Sequence, residues 1–331
     1  MKFHLPYCLV FIVLFILDDN IVKTQESTFG ECHTNHDDFM ETVKFLTKSI
    51  VPSLEGTNKG DSGRIGIIGG SIEYCGAPYF SAISALKIGA DLVYVITTED
   101  AAPIIKAYSP DLIVYPFLSK KHASKISALL PKMDAIIIGP GLGREEESMK
   151  LTYEIIDSCK FLKKPLVIDA DGLYAVSKNV SILNGYPSPG VILTPNGREA
   201  KKIIEAVGRN DTKWCNFWGD HVSVLIKGAI DQYYSSNTLY NWASSEGGSG
   251  RRAGGQGDIL SGALGTLYTW AIRSKMCDNN LQLAQSVATY AAAKFTRECN
   301  AQAFKTFGRS LLASDMIKYI HVAFETIFNY H

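Results

Sequence analysis

The chain has 331 residues, 46% of them hydrophobic and 20% charged, with 33 basic residues against 33 acidic ones. A net charge of zero and a pI near 7 exclude nucleic-acid or acidic-membrane binding driven by bulk electrostatics, so any basic site must be local. The length suits one large α/β domain as well as two smaller ones, and no internal repeat, low-complexity tract or long linker divides it.

The first element is an apolar run, Leu5 to Leu17, which follows Met1-Lys2-Phe3-His4 and is shorter than the roughly 20 residues needed to span a bilayer. It reads as a signal-peptide-like core, although only one lysine precedes it, Asp18-Asp19 follows it and no clear cleavage site is visible. A mitochondrial presequence, which is Arg-rich and poor in acids, fits less well. Asn20 to Asp38 is polar and expected to be disordered. Residues 1–37 therefore read as a targeting segment and linker, and 38–331 as a single domain. Any membrane or secretory targeting acts through 5–17 only.

A helix is expected from Asp38 to Val51. Beyond it, apolar runs alternate with helical patterns: Ile65 to Ile68, Leu92 to Ile96, Leu112 to Tyr115, Ala135 to Ile138, Leu166 to Ile168, Val191 to Leu193 and Val222 to Ile226. Short, β-branched and bounded by Gly, Pro or Asp, these read as buried parallel strands joined by crossover helices, an α/β layer fold. Gln232 to Ser235 and Thr238 to Trp242 flank Ser236-Asn237 and read as an antiparallel edge hairpin. The tail is helical over Ile259 to Arg273, Leu281 to Cys299 and Ala313 to Ile327.

Seven scattered cysteines, with no Cys-x-x-Cys and no His at metal-ligand spacing, read as free thiols. Removal of the N-terminal segment leaves an even number, so parity permits an oxidising compartment. Asn179-Val180-Ser181 and Asn210-Asp211-Thr212 match the glycosylation sequon, a triplet that also occurs by chance.

In open α/β sheets ligands bind beyond the carboxyl ends of the strands, and the glycine-rich and polar segments of this chain collect there. They are Gly69-Gly70-Ser71, Gly139-Pro140-Gly141-Leu142-Gly143, Asp169-Ala170-Asp171-Gly172, Thr194-Pro195-Asn196-Gly197-Arg198-Glu199 and Lys227-Gly228. The most informative stretch is Gly247 to Asp258, which runs straight into the apolar pattern Ile259-Leu260-Ser261-Gly262-Ala263-Leu264. Glycines let backbone N–H groups approach an anion, and the following helix aims its positive end at the same place. That is a phosphate cradle. Asp258 sits where a carboxylate takes a proton from a hydroxyl beside the held phosphate. An Asp after Gly is equally a common helix N-cap, and the five glycines and two arginines between Gly248 and Gly257 weigh toward the anion site.

These segments, together with Lys59-Gly60-Asp61-Ser62-Gly63, Tyr74-Cys75-Gly76-Ala77-Pro78 and Lys87-Ile88-Gly89-Ala90-Asp91-Leu92, resemble in order the ATP- or ADP-dependent NAD(P)H-hydrate dehydratases over roughly residues 40 to 331. The resemblance implies a ribokinase-like fold, three-layer α/β/α with a mostly parallel sheet. It also implies repair of hydrated NADH and NADPH: phosphorylating the ring hydroxyl turns a poor leaving group into a good one, and phosphate is then eliminated. ATP and ADP stay open as the nucleotide, as do the NADH and NADPH hydrates as substrate.

By the same resemblance Asp258 is the base at the substrate hydroxyl, and placement rather than an elevated pKa is what its role requires. Lys227, Gly228, Ala229, Ile230 and Asp231 lie at the nucleotide, as do Gly248, Ser249, Gly250, Arg251, Arg252, Ala253, Gly254, Gly255, Gln256 and Gly257. Lys227 supplies a point charge for phosphate and the arginines bidentate donors, against the alternative of a solvated strand end and a solvated loop pair. The substrate sits against Ala77, Gly141, Gly143, Asn196, Gly197, Arg198, Glu199, Ala200, Lys201, Lys202 and Asp258. Taken alone, Gly139-x-Gly141-x-Gly143 fits a tight turn into the next helix equally well, and no dinucleotide-binding βαβ unit starts at it.

Family members commonly carry Asn-His-x-Glu where this chain has Asn196-Gly197-Arg198-Glu199, so an imidazole is missing and substrate affinity is the property this touches. Asp169 and Asp171 either hold Mg²⁺ through water or cap the helix near Gly172. No metal ligand is assigned, and Mg²⁺ is expected with the nucleotide. The competing readings are a small-molecule kinase of the same fold acting on a vitamin precursor or sugar, and a catalytically inert nucleotide-binding scaffold. A homo-oligomer is the common state of compact α/β enzymes. The family points to cytoplasm or mitochondrion, the N-terminal segment to secretory entry.

Overall fold

Short apolar runs hidden on both faces build the centre of the molecule, seen in a computed structural model that describes residues 39–209 and 214–328. Strands β1 (Arg64–Ile68), β2 (Leu92–Ile96), β3 (Ile113–Tyr115), β4 (Ala135–Ile138), β5 (Leu166–Ile168), β6 (Val191–Leu193) and β7 (Val222–Ile226) are parallel. Strands β8 (Asp231–Tyr234) and β9 (Trp242–Ser244) extend the sheet antiparallel, in the order β3-β2-β1-β4-β5-β6-β7-β8-β9. The principal helices are α1 (Phe39–Ser49), α2 (Gly76–Ile88), α3 (Ala101–Tyr108), α4 (Ala123–Leu129), α5 (Glu146–Phe161), α6 (Ala170–Lys178), α7 (Gly197–Val207), α8 (Gln256–Arg273), α9 (Leu281–Phe307) and α10 (Ile320–Phe328).

Because neighbouring residues of a strand face opposite ways, each strand feeds two cores. Ile65, Ile67, Val95 and Ile137 pack with α2, α8 and α9, whereas Ile68, Ile136, Ile138 and Ile168 pack with α5, α6 and α7. The result is the expected three-layer α/β/α architecture. Chain order runs outward from β1 in one direction and from β4 in the other, so the switch point lies between them, and the loops Gly69-Gly70-Ser71 and Gly139 to Gly143 flank it.

Helix α8 is apolar on all sides because it is the buried centre of its layer. Its small residues set the approach. Gly262 lies against the backbone of α2, where an added Cβ would meet Ser81 O at 1.9 Å, and Gly265 lies against Ile137 and Ile65. Ser84 Oγ donates to Ile259 O (2.9 Å) and Thr266 Oγ1 to Ala85 O (3.1 Å), so the polar atoms at this crossing are paired. The sheet and α2 thereby fix where the N-terminus of α8 points.

Three expectations change. The second hairpin strand is Trp242–Ser244 rather than Thr238 to Trp242, because Asn237 accepts from Leu239 N–H and starts a 3-10 turn over Thr238–Tyr240. Helix α9 runs past Cys299 to Phe307, stopping only at Gly308 with φ 53°. Cys277 is disulfide-bonded, against the reading of every cysteine as a free thiol, whereas Cys75, Cys159, Cys215 and Cys299 are not in disulfides. Sequence spacing carries no information on which thiols meet in space. The apolar run Leu5 to Leu17, the polar segment to Asp38, Cys8, Cys32 and the sequon at Asn210 lie outside the described residues. Among the described residues no helix is long and apolar enough to cross a membrane.

Candidate active site

Beyond the carboxyl ends of β5, β6 and β7 lies a cavity of about 420 Å³, within the range of small-molecule sites. Its roof is the glycine loop. Gly255 takes φ 88° at the N-cap of α8, a left-handed conformation that only glycine adopts at low cost, and a Cβ there would lie 2.7 Å from Ala313 Cβ. No side chain caps this helix, so its first-turn N–H groups are left to an anion in the cavity. Asp258 lies in that first turn, inside the helix, and does not serve as the cap.

The charged groups of the floor come from three strand ends. Lys227 follows β7, its N–H donating to Pro195 O, and its Nζ reaches Asp169 Oδ1 at 2.7 Å. The same ammonium lies against the loop, since a Cβ on Gly257 would come within 3.0 Å of it. Burial opposes the charge on Lys227, yet the Asp169 carboxylate beside it holds its pKa above the usual lysine value. Asp169 is 2% exposed and stands at the N-cap position of α6 without capping it, because its carboxylate is engaged with Lys227. The next residue, Ala170, is held at φ 47°, a strained conformation of the kind that clusters at functional sites. Asp171 accepts from Gly143 N–H (3.1 Å) and Arg144 Nε (2.8 Å), tying the loop at the switch point to the cavity floor.

Asp258 is pushed up to about 7, first by burial, then by the negative charge of Asp169, with Lys227 opposing and Asp171 and Glu199 adding smaller contributions. Placement alone was expected. The structure adds a carboxylate poised near neutral pH, the condition under which a group takes and returns protons efficiently. Only the ionised form accepts a proton, so any turnover that uses Asp258 as a base is expected to rise through pH 7 and level off about one unit above. Stability runs the other way. A folded pKa above the unfolded value of 3.8 favours the fold below that value, and the advantage is lost as pH rises through 7. Asp258→Asn is therefore expected to be more stable than wild type, and to melt higher, by an amount that grows between pH 4 and 7 and is then constant, on the order of 2–4 kcal/mol in unfolding free energy. A melting difference that does not vary with pH would contradict it.

The cavity gathers Lys227, Gly228, Asp231, Gly248, Arg252, Ala253, Gly254, Gly255, Gln256 and Gly257 from the expected nucleotide set, together with Asp258, the expected base. Ala229, Ile230, Ser249, Gly250 and Arg251 are not on its wall. Arg251 instead donates to Arg252 O, so the expected arginine pair contributes one side chain. From the substrate set, Asn196 and Glu199 line the cavity and also form the capping box of α7: Asn196 Oδ1 accepts from Arg198 and Glu199 N–H, and Glu199 returns to Asn196 N–H. Gly197, Arg198 and Lys201 are exposed, Ala200 is buried, and Lys202 lines a small adjoining pocket with Arg144 and Tyr174. Ala77 and Gly141 meet at the switch point, where a Cβ on Gly141 would lie 2.6 Å from Tyr74 O. Thr296, Arg297 and Asn300 of α9 also line the cavity, and nothing in their local sequence signals it. Among the described residues no group of three or more His, Cys, Asp or Glu is placed to hold a metal.

A mostly parallel α/β/α sheet with a glycine loop, an uncapped helix N-terminus and a half-buried Asp258 at its carboxyl edge is the ribokinase-like fold. A ribokinase-like superfamily protein from Enterococcus faecalis superimposes with a TM-score of 0.70 at 19% identity, covering 86% of this chain and 94% of that one. An ADP/ATP-dependent NAD(P)H-hydrate dehydratase from Bacillus subtilis, co-crystallised with ATP and Mg²⁺, does so at 0.63 and 18%, covering 86% and 97%. A family model described as NAD(P)H-hydrate dehydratase matches residues 65–322. ATP-dependent (S)-NAD(P)H-hydrate dehydratases are 46% identical over 285 residues in Aedes aegypti (86% of this chain, 84% of that one) and 42% identical over 300 in Homo sapiens (87% and 85%). This chain belongs to the NAD(P)H-hydrate dehydratase family.

Proposed function

We propose that this chain is an ATP-dependent (S)-NAD(P)H-hydrate dehydratase, with the nucleotide under the glycine loop and Asp258 as the base. The observation that carries the reading is Asp258 in the first turn of α8, facing a cavity that the glycine loop roofs, with Lys227 and Asp169 beside it. The ring hydroxyl of the hydrate gives its proton to Asp258 as its oxygen bonds to the terminal phosphorus, and the nucleoside diphosphate leaves with the broken P–O bond. Phosphate then departs from the ring carbon with its electron pair, the neighbouring carbon loses a proton and the double bond is restored. The first-turn N–H groups and Lys227 stabilise the charge that gathers on the moving phosphoryl group. The described residues build no cage for a metal, and Mg²⁺ belongs to this reading as part of the nucleotide substrate.

The hydrate is placed along Asn196, Glu199 and the loop of Gly141 and Gly143, which Asp171 draws toward Asp258. Free phosphate is expected to appear in step with NADH, with no phosphorylated hydrate released into solution. A stable phosphate ester accumulating instead would assign the chain to the small-molecule kinases of this fold.

Gly197 offers a second test. A Cβ at this exposed position meets nothing within 4 Å, so the backbone here admits a side chain such as the imidazole common in the family. Gly197→His is expected to lower KM for the hydrate about threefold to tenfold, the worth of one added hydrogen bond, with kcat for bound substrate unchanged. An unchanged KM would remove this segment from the substrate.

A further inference from the structure

Two side chains one turn apart on α9, Arg297 and Asn300, hold the backbone of the loops that line the cavity. The Arg297 guanidinium is nearly buried and donates in three directions: Nε to Asp231 Oδ2 (2.6 Å), Nη2 to Gly228 O and Ala229 O (3.0 Å each), and Nη1 to Gly247 O (3.1 Å). Asp231 spends its other oxygen on Gly228 N–H at 2.9 Å. Gly247 and Gly248, both at φ 78°, rest on the Arg297 stem, where an added Cβ would lie 3.6 and 3.5 Å from it. One turn further on, Asn300 Oδ1 accepts from Ser249 N–H (2.6 Å) and Ser249 Oγ (2.7 Å).

We propose that Arg297 is a positioning residue for the nucleotide: one guanidinium ties the segment after β7 to the segment that leads into the glycine loop, and so sets the width of the cleft between them. The inference rests on the reading that the nucleotide occupies this cavity. A planar fork with five N–H groups spans two backbone segments and a carboxylate at once, which the three donors of a compact ammonium do not. The donors of Arg297 are spent on protein oxygens, so it acts through the loops and not by touching the reacting atoms. Asp231 likewise serves the scaffold, since both of its oxygens are engaged there.

The test uses the full chain with Arg297→Met and Arg297→Lys. Binding of a non-hydrolysable ATP analogue is measured by calorimetry without hydrate, alongside melting curves, KM for each substrate and kcat at saturating ATP. Arg297→Met is expected to weaken the analogue by at least about tenfold, the scale of one lost hydrogen bond to a charged group, and to raise KM for ATP in proportion. KM for the hydrate and kcat at saturating ATP stay within about twofold of wild type, and Arg297→Lys falls between. Folded Arg297→Met with unchanged analogue affinity overturns the proposal, as does an equal loss toward ATP and hydrate. Should Arg297→Met not fold, Asp231→Asn, which leaves the guanidinium but removes its anionic anchor, reads the same split, and unchanged affinity there overturns it too. Wild type that binds the analogue and repairs no hydrate removes the dehydratase reading and leaves this one standing.

Discussion

Asp258→Asn is expected to lower kcat by roughly 10²–10⁴-fold, the usual range for removal of a general base, while the affinity for ATP stays within about threefold of wild type or improves. The substitution is nearly isosteric, so the first turn of α8 and its N–H groups keep their places. It removes a negative charge next to the proposed phosphate site, which cannot weaken an anion held there. It also removes the lone pair that accepts the hydroxyl proton. Loss of turnover with intact nucleotide binding therefore isolates the chemical step. Asp258→Asn with a kcat within fivefold of wild type would remove Asp258 from the reaction. At pH 7 about half of the wild-type Asp258 is protonated, given a pKa of about 7, so the comparison is sharpest about one unit higher.

Gly262→Ala is expected to be the most damaging single-methyl change in the helix that carries the site. Two effects oppose each other. Alanine in a helix interior is worth about 1 kcal/mol over glycine. The new Cβ, however, would lie 1.9 Å from Ser81 O and 2.3 Å from Ser84 Oγ. Ser81 O belongs to the backbone of a buried helix and has nowhere to go, so α8 must back away from α2, at a cost of roughly 3 kcal/mol or more. The overlap wins, and the melting temperature is expected to fall by roughly 5 °C or more. Displacement of α8 also moves the glycine loop, so ATP affinity falls with it. An unchanged melting temperature would mean that this crossing is looser than it looks.

The parts of this architecture that follow from local pattern were legible in the chain, and those that depend on distant partners were not. Strands β2, β4, β5, β6 and β7 end at the expected residues, because Gly, Pro or Asp stands within two residues of each short apolar run. The second hairpin strand slipped because the Asn237 side chain competes with the backbone for Leu239 N–H, a local bond that strand propensity does not register. The glycine loop showed itself through composition. Its supports did not: Arg297 meets Asp231 across 66 positions and Asn300 meets Ser249 across 51, and on a helix such residues look like an ordinary solvated face. Lys227 was visible as a charge at a strand end, whereas its engagement with Asp169, 58 positions away, arises only once β5 and β7 share a sheet. The raised pKa of Asp258 has the same origin, since burial and the neighbouring carboxylates are products of the fold.

The most direct test of the central claim is recovery of the near-ultraviolet absorbance of the dihydronicotinamide ring when the purified chain is mixed with hydrated NADH, Mg²⁺ and ATP. Recovery is expected to require the nucleotide, with one free phosphate released for each ring restored. Folded protein that binds ATP and restores no absorbance with either ATP or ADP would contradict it.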